Sequence, residues 1–144
     1  MIEQDTIKLL RECDAGVKMG VSSIKEVLDN VKSDKLRGIL VGSLREHEEL
    51  DKEIQKGLDE FGDEGKDPNP VATSMSWIKT NVKLMMHESD KTVADLMTDG
   101  CDMGVKSLSK YLNQYKAADE RSKDIAKKLI KIEQSLGDDI RGYL

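Results

Sequence analysis

The sequence predicts an all-α fold, a four-helix bundle with one long crossover connection, from three observations. The chain of 144 residues is 35% charged but only 3% aromatic, whereas β-sandwiches and barrels use many aromatic and β-branched side chains. Apolar residues recur at helical spacing over several long stretches. Both prolines, Pro68 and Pro70, fall in one loop, and no helix continues through such a run. A chain of this length suits one domain, residues 1–144.

The first helical hairpin is predicted over residues 6–61. Apolar residues of its first helix, 6–31, follow a heptad rhythm that is interrupted once, at Asp14. A short break at Ser33 precedes a second helix, predicted over 34–61. Because the connection is so short, the two helices are expected to be antiparallel and adjacent.

Short polar residues mark the predicted helix starts, because Ser, Thr and Asp side chains accept hydrogen bonds from the free N–H groups at helix N-termini. We expect such N-terminal caps at Asp5 or Thr6, at Ser33-Asp34 and at Ser89-Asp90.

A crossover over residues 62–88 is predicted to join the first hairpin to a second one, 89–144. The crossover contains an acidic loop, which lacks the ligand spacing of a calcium loop, and a short extra helix over 71–86. The second hairpin consists of a helix that reaches residue 115 and a last helix over 119–143. A connection of this length can travel back along the bundle, which favours a crossover over a simple up-down-up-down order.

An internal repeat indicates that the two hairpins are duplicates. The segment Cys13–Lys18 reappears as Cys101–Lys106 with five of six positions identical. Each copy lies inside a long predicted helix that is followed by a break and a second amphipathic helix. Repeats of this kind usually reflect structural duplication.

Three elements carry a resemblance to a known family: the segment Arg11-Glu12-Cys13-Asp14-Ala15-Gly16, its echo at 101–104, and Arg45-Glu46-His47 in the second helix. With these features the chain resembles a bacterial family of ferritin-like four-helix-bundle proteins of unknown function, over most of its length. The resemblance implies a ferritin-like bundle with a long crossover, and it implies no established reaction.

A ferritin-like fold raises the question of a di-iron centre, for which the sequence lacks ligands. Such a centre takes a Glu from each of two helices and a Glu-x-x-His pair from each of the other two. The chain has two histidines, His47 and His87, and a leucine stands three positions before each. The last helix has Glu133 but no histidine. We therefore do not expect an active oxidase.

A sparser metal site is the alternative. Asp14 and His47 occupy core-type positions on paired helices, and Glu12 and Glu46 lie near them in the sequence. These four residues are the candidate ligands of a single divalent ion, namely iron, manganese or zinc. In the simpler interpretation His47 is an interior histidine that is hydrogen-bonded to Asp14 or Asp51, and the glutamates are solvated.

Glycines and cysteines inside the predicted helices offer further hypotheses. The three Gly-x-x-x-Gly pairs are Gly16/Gly20, Gly38/Gly42 and Gly100/Gly104. Each interior glycine costs about 1 kcal/mol relative to alanine, so we expect close helix packing within the monomer or, alternatively, a face for self-association. Cys13 and Cys101 are expected to be buried and inert, and a redox-responsive pair is the alternative.

The composition restricts the classes of partner. A net charge of −5 and a pI near 5.1 argue against nucleic-acid binding. No transmembrane helix or signal peptide is expected, and with two cysteines we predict a cytoplasmic protein. The expected function is that of a non-catalytic helical bundle acting through protein–protein contacts or as a homo-oligomer. The alternative is a metal-binding or stress-related ferritin-like protein.

Overall fold

The computed structural model describes residues 2–65 and 89–144, which form four long helices and one short turn of helix. The helices are α1 (Ile2–Leu28), α2 (Asp34–Glu60), α3 (Ser89–Gln114) and α4 (Glu120–Ile140), followed by a 3-10 turn at Arg141–Tyr143. The described residues contain no strand, which confirms the all-α prediction. Within them, no helix combines the length and the apolar character that crossing a membrane requires. The extra helix predicted over 71–86 lies outside the described residues, as does His87.

The four helices pack as two hairpins, α1 with α2 and α3 with α4, and α1 also packs on α3 while α2 packs on α4. At one end of the bundle, Asp90 in the first turn of α3 accepts hydrogen bonds from the backbone of Lys32 and Ser33. At the other end, Thr6 of α1 binds the backbone of Asp119 just before α4. Therefore α1 and α4 run in one direction and α2 and α3 in the other, and the chain leaves α2 at the opposite end from its entry into α3.

The first predicted cap, at Asp5 or Thr6, is wrong, and both side chains have a different role. The helix α1 already begins at Ile2, so Asp5 and Thr6 do not cap it. Instead, Asp5 accepts a hydrogen bond from Ala117 N at 3.1 Å, and Thr6 Oγ1 accepts one from Asp119 N at 2.8 Å. These side chains satisfy N–H groups of the turn between α3 and α4 that would otherwise lack partners.

The cap predicted at Ser33 is confirmed. Its backbone is extended and its hydroxyl oxygen accepts a hydrogen bond from Leu36 N at 3.2 Å. In α4 the same role belongs to Asp119, whose carboxylate accepts from Ser122 N at 2.8 Å. Both hairpins thus begin their second helix with a side-chain cap of the preferred type.

The interior is divided into two apolar clusters along the bundle axis. The cluster beside the α1–α2 turn includes Ile24, Val27, Leu36, Leu40, Val93, Met97, Leu136 and Ile140. The cluster at the other end includes Leu9, Leu10, Leu50, Ile54, Leu58, Leu108, Ile125 and Leu129. Each helix contributes one small or polar residue to the layer between the two clusters. From α1 to α4, these residues are Gly20, His47, Gly104 and Glu133. The candidate site lies in this middle layer.

Candidate functional site

A buried pair of charged side chains joins α2 to α4 in the middle layer. The imidazole of His47 is fully buried, and its Nε2 lies 2.7 Å from Oε1 of Glu133. On the other side of the ring, Nδ1 lies 2.7 Å from the backbone carbonyl oxygen of Ser43. Carboxylate and carbonyl oxygens accept hydrogen bonds, so both ring nitrogens act as donors, and only the protonated imidazolium has two donors. The geometry therefore favours an ion pair between His47 and Glu133.

The pKa of His47 agrees with this assignment. Burial is the largest single effect on it and lowers the pKa. The hydrogen bond and the charge of Glu133, with smaller contributions from Ser43 and Glu46, raise it and together outweigh burial. The net result is a pKa above the ordinary value of 6.5, which keeps the imidazolium charged in a place where an unpaired charge would be costly.

The raised pKa of His47 predicts a loss of stability as the pH rises. The folded chain holds this proton more tightly than the unfolded chain, so the stabilisation is complete below 6.5 and disappears as the pH passes through the folded value. We expect the free energy of unfolding in urea to fall as the pH rises above about 6.5. The variant His47→Gln should have a flatter profile over the same range. Equal slopes for the two proteins would contradict the assignment.

Gly20 on α1 provides the space that the His47 ring occupies. A Cβ atom built at Gly20 would lie 2.5 Å from both Cδ2 and Nε2 of His47, and 3.4 Å from Oε1 of Glu133. On α3, a Cβ at Gly104 would lie 3.6 Å from Oε2 of Glu133, which is ordinary contact. Gly20 thus lets α1 lie directly over the pair that links α2 to α4.

A cavity of about 300 Å³ lies against this pair, between α1 and α3. Small residues line much of its two walls: Ala15, Gly16, Gly20 and Ser23 on α1, and Gly100, Gly104 and Ser107 on α3. His47, Glu133 and Leu129 form part of its floor, and Met103, which is 58% exposed, lies at its rim. The volume is at the lower end of the range for small-molecule sites in proteins, and the mixture of an apolar wall with a few polar groups is typical of them.

The four residues predicted as metal ligands have different surroundings. His47, which is paired with Glu133, lines the cavity together with Glu12, whereas Glu46 is exposed on α2. Asp14 is fully buried elsewhere, at the contact of α1 with α2. Over residues 2–65 and 89–144, no three His, Cys, Asp or Glu side chains form a group that could hold a metal ion. A divalent ion bound by these residues stays a prediction.

Asp14 belongs to a second polar cluster. Its carboxylate accepts hydrogen bonds from Lys18 Nζ at 2.9 Å and from Gln55 Nε2 at 2.6 Å. The backbone after α2 folds back over it at Gly65, which has a φ of +88° and where a Cβ would collide with the carboxylate. The cluster ties α1 to α2 and fixes the path of the chain as it leaves the first hairpin.

The predicted partner of His47 is therefore wrong. Neither Asp14 nor Asp51 orients the ring, because Asp14 binds Lys18 and Gln55, and Asp51 accepts from the same Gln55 amide at 3.1 Å. The partner that the sequence analysis missed is Glu133. The sequence does contain a signal that Glu133 faces the core, because it stands between Leu129 and Leu136 at helical spacing on the apolar face of α4.

The glycine pairs predicted close helix packing within the monomer, and some of these glycines do lie close to a neighbouring helix. A Cβ at Gly16 would touch Leu129 at 3.4 Å, and Gly20 and Gly104 lie against the buried pair. In contrast, Gly38 and Gly42 are exposed on α2, and in the described part of the chain no atom lies within 4 Å of a Cβ at either position.

The two cysteines are free and buried, as predicted. Burial, together with the charges of Glu12 and Asp14, raises the pKa of the Cys13 thiol to about 12. Burial also raises the pKa of Cys101, and the charge of Glu133 and a hydrogen bond from the thiol to Glu133 raise it further. Cys13 packs in the cluster with Leu9, whereas Cys101 packs in the cluster with Leu136.

These raised pKa values predict that neither thiol reacts in the folded protein. Only the thiolate is nucleophilic, and burial removes both the thiolate and access to it. At pH 8 we expect alkylation by iodoacetamide to be at least about 100-fold slower in the native protein than in urea. Rapid labelling of either cysteine in the native state would contradict this expectation and would restore the hypothesis of a redox-responsive pair.

Comparisons of the chain with protein-family profiles, with curated proteins and with solved structures find no match. The function is therefore argued from the site itself.

Proposed function

We propose that the protein is a non-catalytic, ferritin-like bundle of two duplicated hairpins, and that it acts by binding a small molecule in the cavity between α1 and α3. The observed helix directions support the ferritin-like part, because the connection between the hairpins joins opposite ends of the bundle. The positions of the repeated motif in the middle of α1 and of α3 support the duplication.

The observation that carries the binding proposal is the cavity with a polar floor. A bundle of this size normally fills its interior to the density of an organic crystal. Here glycines at positions 16, 20, 100 and 104 leave about 300 Å³ beside a buried ion pair. No described residue fills this space, and an occupant with a matching shape would gain dispersion contacts with its lining.

Binding is favoured over catalysis because the reactive groups near the cavity are already committed. His47 uses both ring nitrogens in hydrogen bonds to Ser43 and Glu133. The Cys101 thiol has a pKa above the ordinary range and donates a hydrogen bond to Glu133. Neither side chain is therefore poised as a base or a nucleophile.

A matched pair of glycine variants tests the proposal with phenethyl alcohol as a neutral probe. Gly100 lines the cavity and a Cβ there meets no atom of the described residues within 4 Å, so Gly100→Leu directs a side chain into the open space. Gly38→Leu adds the same side chain at an exposed helical position away from the cavity. Saturation-transfer NMR should detect binding to the wild type and to Gly38→Leu, with at least about tenfold weaker binding to Gly100→Leu. Equal binding to both variants would contradict the proposal.

A protein partner or a second copy of the chain is the alternative occupant of this face. Met103 at the rim is 58% exposed, and a partner side chain could enter the cavity from there. Sedimentation velocity separates the two cases. A monomer that binds the probe supports the small-molecule proposal, whereas a dimer that is dissociated by Gly100→Leu supports self-association.

A further inference from the structure

A buried serine on α1 lines the cavity and still has its hydrogen-bonding capacity. Ser23 is only 6% exposed. Within residues 2–65 and 89–144, no group donates a hydrogen bond to its hydroxyl oxygen or accepts one from it. Hydroxyl groups in helices often bond to a backbone carbonyl four residues earlier, as Thr98 and Ser109 do on α3. The hydroxyl of Ser23 makes no such bond, so it can bind a polar group in the cavity.

Glu133 offers hydrogen-bond acceptors close to this serine. A carboxylate has about four acceptor positions, and Glu133 uses one for His47 and another for the Cys101 thiol. A Cβ at Gly20 on α1 would lie 3.4 Å from Glu133 Oε1. Ser23 is three positions further along the same helix, and side chains at this spacing are about 5–6 Å apart. The serine hydroxyl and the carboxylate therefore border adjoining parts of the cavity.

The charged groups of the lining are already engaged. His47 and Glu133 form an ion pair, which has no net charge. Glu12 and Tyr111 also line the cavity, and both have interaction partners of their own. The described residues of the lining include no lysine or arginine. A charged ligand would therefore lose its water without gaining an uncommitted counter-charge.

From these observations we propose that the cavity ligand is an uncharged alcohol with an apolar body, whose hydroxyl group donates a hydrogen bond to Glu133 and accepts one from Ser23. This inference rests on the proposed function and specifies its ligand class. A hydroxyl group is both a donor and an acceptor, so it suits a carboxylate, which only accepts, and a serine, which can donate. The apolar body occupies the space between the small residues of α1 and α3.

The experiment compares three probes with the same number of non-hydrogen atoms: phenethyl alcohol, its isomer benzyl methyl ether, and phenethylamine. The ether accepts hydrogen bonds but cannot donate them, and the amine is a cation at pH 7. Their dissociation constants are measured by NMR titration of the full chain. We expect the alcohol to bind at least about tenfold more tightly than the ether, because only the alcohol can donate to Glu133. The amine should bind at least about fivefold more weakly than the alcohol, because its charge must lose water.

A matched pair of serine variants tests the second hydrogen bond. Ser23→Ala removes the hydroxyl that lines the cavity, and we expect the alcohol to bind about three- to tenfold more weakly. Ser22→Ala makes the same change at the neighbouring position, which is half-buried and outside the lining. This variant should bind the alcohol within about twofold of the wild type. Alanine is the better helix former at both positions, so both variants should fold.

The outcomes separate the two proposals. Equal affinities for the alcohol and the ether in the wild type would overturn the alcohol inference and leave the cavity site standing. Tighter binding of the amine than of the alcohol, or equal effects of the two serine variants, would overturn it as well. Absence of binding by all three probes would overturn the proposed function itself.

Discussion

Replacement of His47 by alanine is expected to lower the free energy of unfolding by about 3–5 kcal/mol. The substitution removes the imidazolium that pairs with Glu133 at 2.7 Å and leaves a carboxylate that is only 8% exposed without its charged partner. It also empties the volume of a fully buried ring, which adds the cost of a cavity. Urea denaturation followed by circular dichroism at pH 6 measures the change.

A double-mutant cycle identifies the cause of this loss. His47→Leu and Glu133→Leu should each be strongly destabilising, because each leaves one buried charge unpaired. The double variant should be much more stable than the sum of the two losses predicts, since replacement of a whole buried pair by apolar residues is often close to neutral. Additive losses would contradict a direct interaction between the two side chains.

A surface pair between the same two helices serves as the control. Lys128 Nζ on α4 lies 3.1 Å from Glu53 Oε1 on α2, and both side chains are more than one third exposed. Lys128→Ala should cost less than about 1 kcal/mol, because water screens the pair and the lysine gains freedom. A loss as large as that of His47→Ala would indicate that charge pairing between α2 and α4, rather than burial, determines the effect.

Replacement of Gly20 by alanine is expected to destabilise the protein by about 1–3 kcal/mol, although alanine is the better helix former. The added methyl group would lie 2.5 Å from two ring atoms of His47. The ring cannot simply rotate away, because Ser43 and Glu133 hold its two nitrogens. Either α1 must move outward or the ion pair must lengthen. Thermal and urea unfolding of the variant measure the loss.

Two controls separate this clash from a general effect of glycine. The methyl group added by Gly38→Ala on α2 meets no atom within 4 Å over residues 2–65 and 89–144, so this variant should stabilise the protein by about 1 kcal/mol through helix propensity alone. In a His47→Ala background, Gly20→Ala should lose most of its cost, because the obstructing ring is absent. Destabilisation of the same size in both backgrounds would contradict the packing of Gly20 on His47.

Local patterns in the sequence were sufficient for much of the fold. The second helix, predicted over 34–61, is observed at Asp34–Glu60 with the predicted Ser33 cap. Heptad spacing works here because each amphipathic helix buries one stripe and the hairpin connection is short. Cap prediction was wrong at Asp5 and Thr6, because a side-chain oxygen near a helix start also serves a neighbouring turn, and the choice depends on tertiary contacts.

The candidate site could be predicted only in part. The burial of Asp14 and His47 follows from their core-type positions in the heptad pattern, and both are fully buried. Their partners do not follow, because Glu133 lies 86 positions from His47 and its approach depends on how α4 is rotated against α2. The i,i+4 rule proposed Asp51 because that rule describes neighbours within one helix and no others.

The cavity is even harder to predict from the sequence than the partners of Asp14 and His47. Spaced glycines predict close approach of helices, and Gly20 permits it for the His47 ring. At Gly100 the same residue type leaves open space instead. Only the relative position of α1 and α3 decides between these two results, and this position is set by the packing of both apolar clusters.

The most direct test of the central claim, that the cavity beside the His47–Glu133 pair is a binding site, is a titration of the protein with phenethyl alcohol followed in amide NMR spectra. The glycine amides report on two environments, because four of them line the cavity and two are exposed on α2. The amides of Gly16, Gly20, Gly100 and Gly104 should shift together along one saturable curve, while those of Gly38 and Gly42 stay in place. Uniform small shifts, or saturation at Gly38 and Gly42 without the cavity glycines, would contradict the claim.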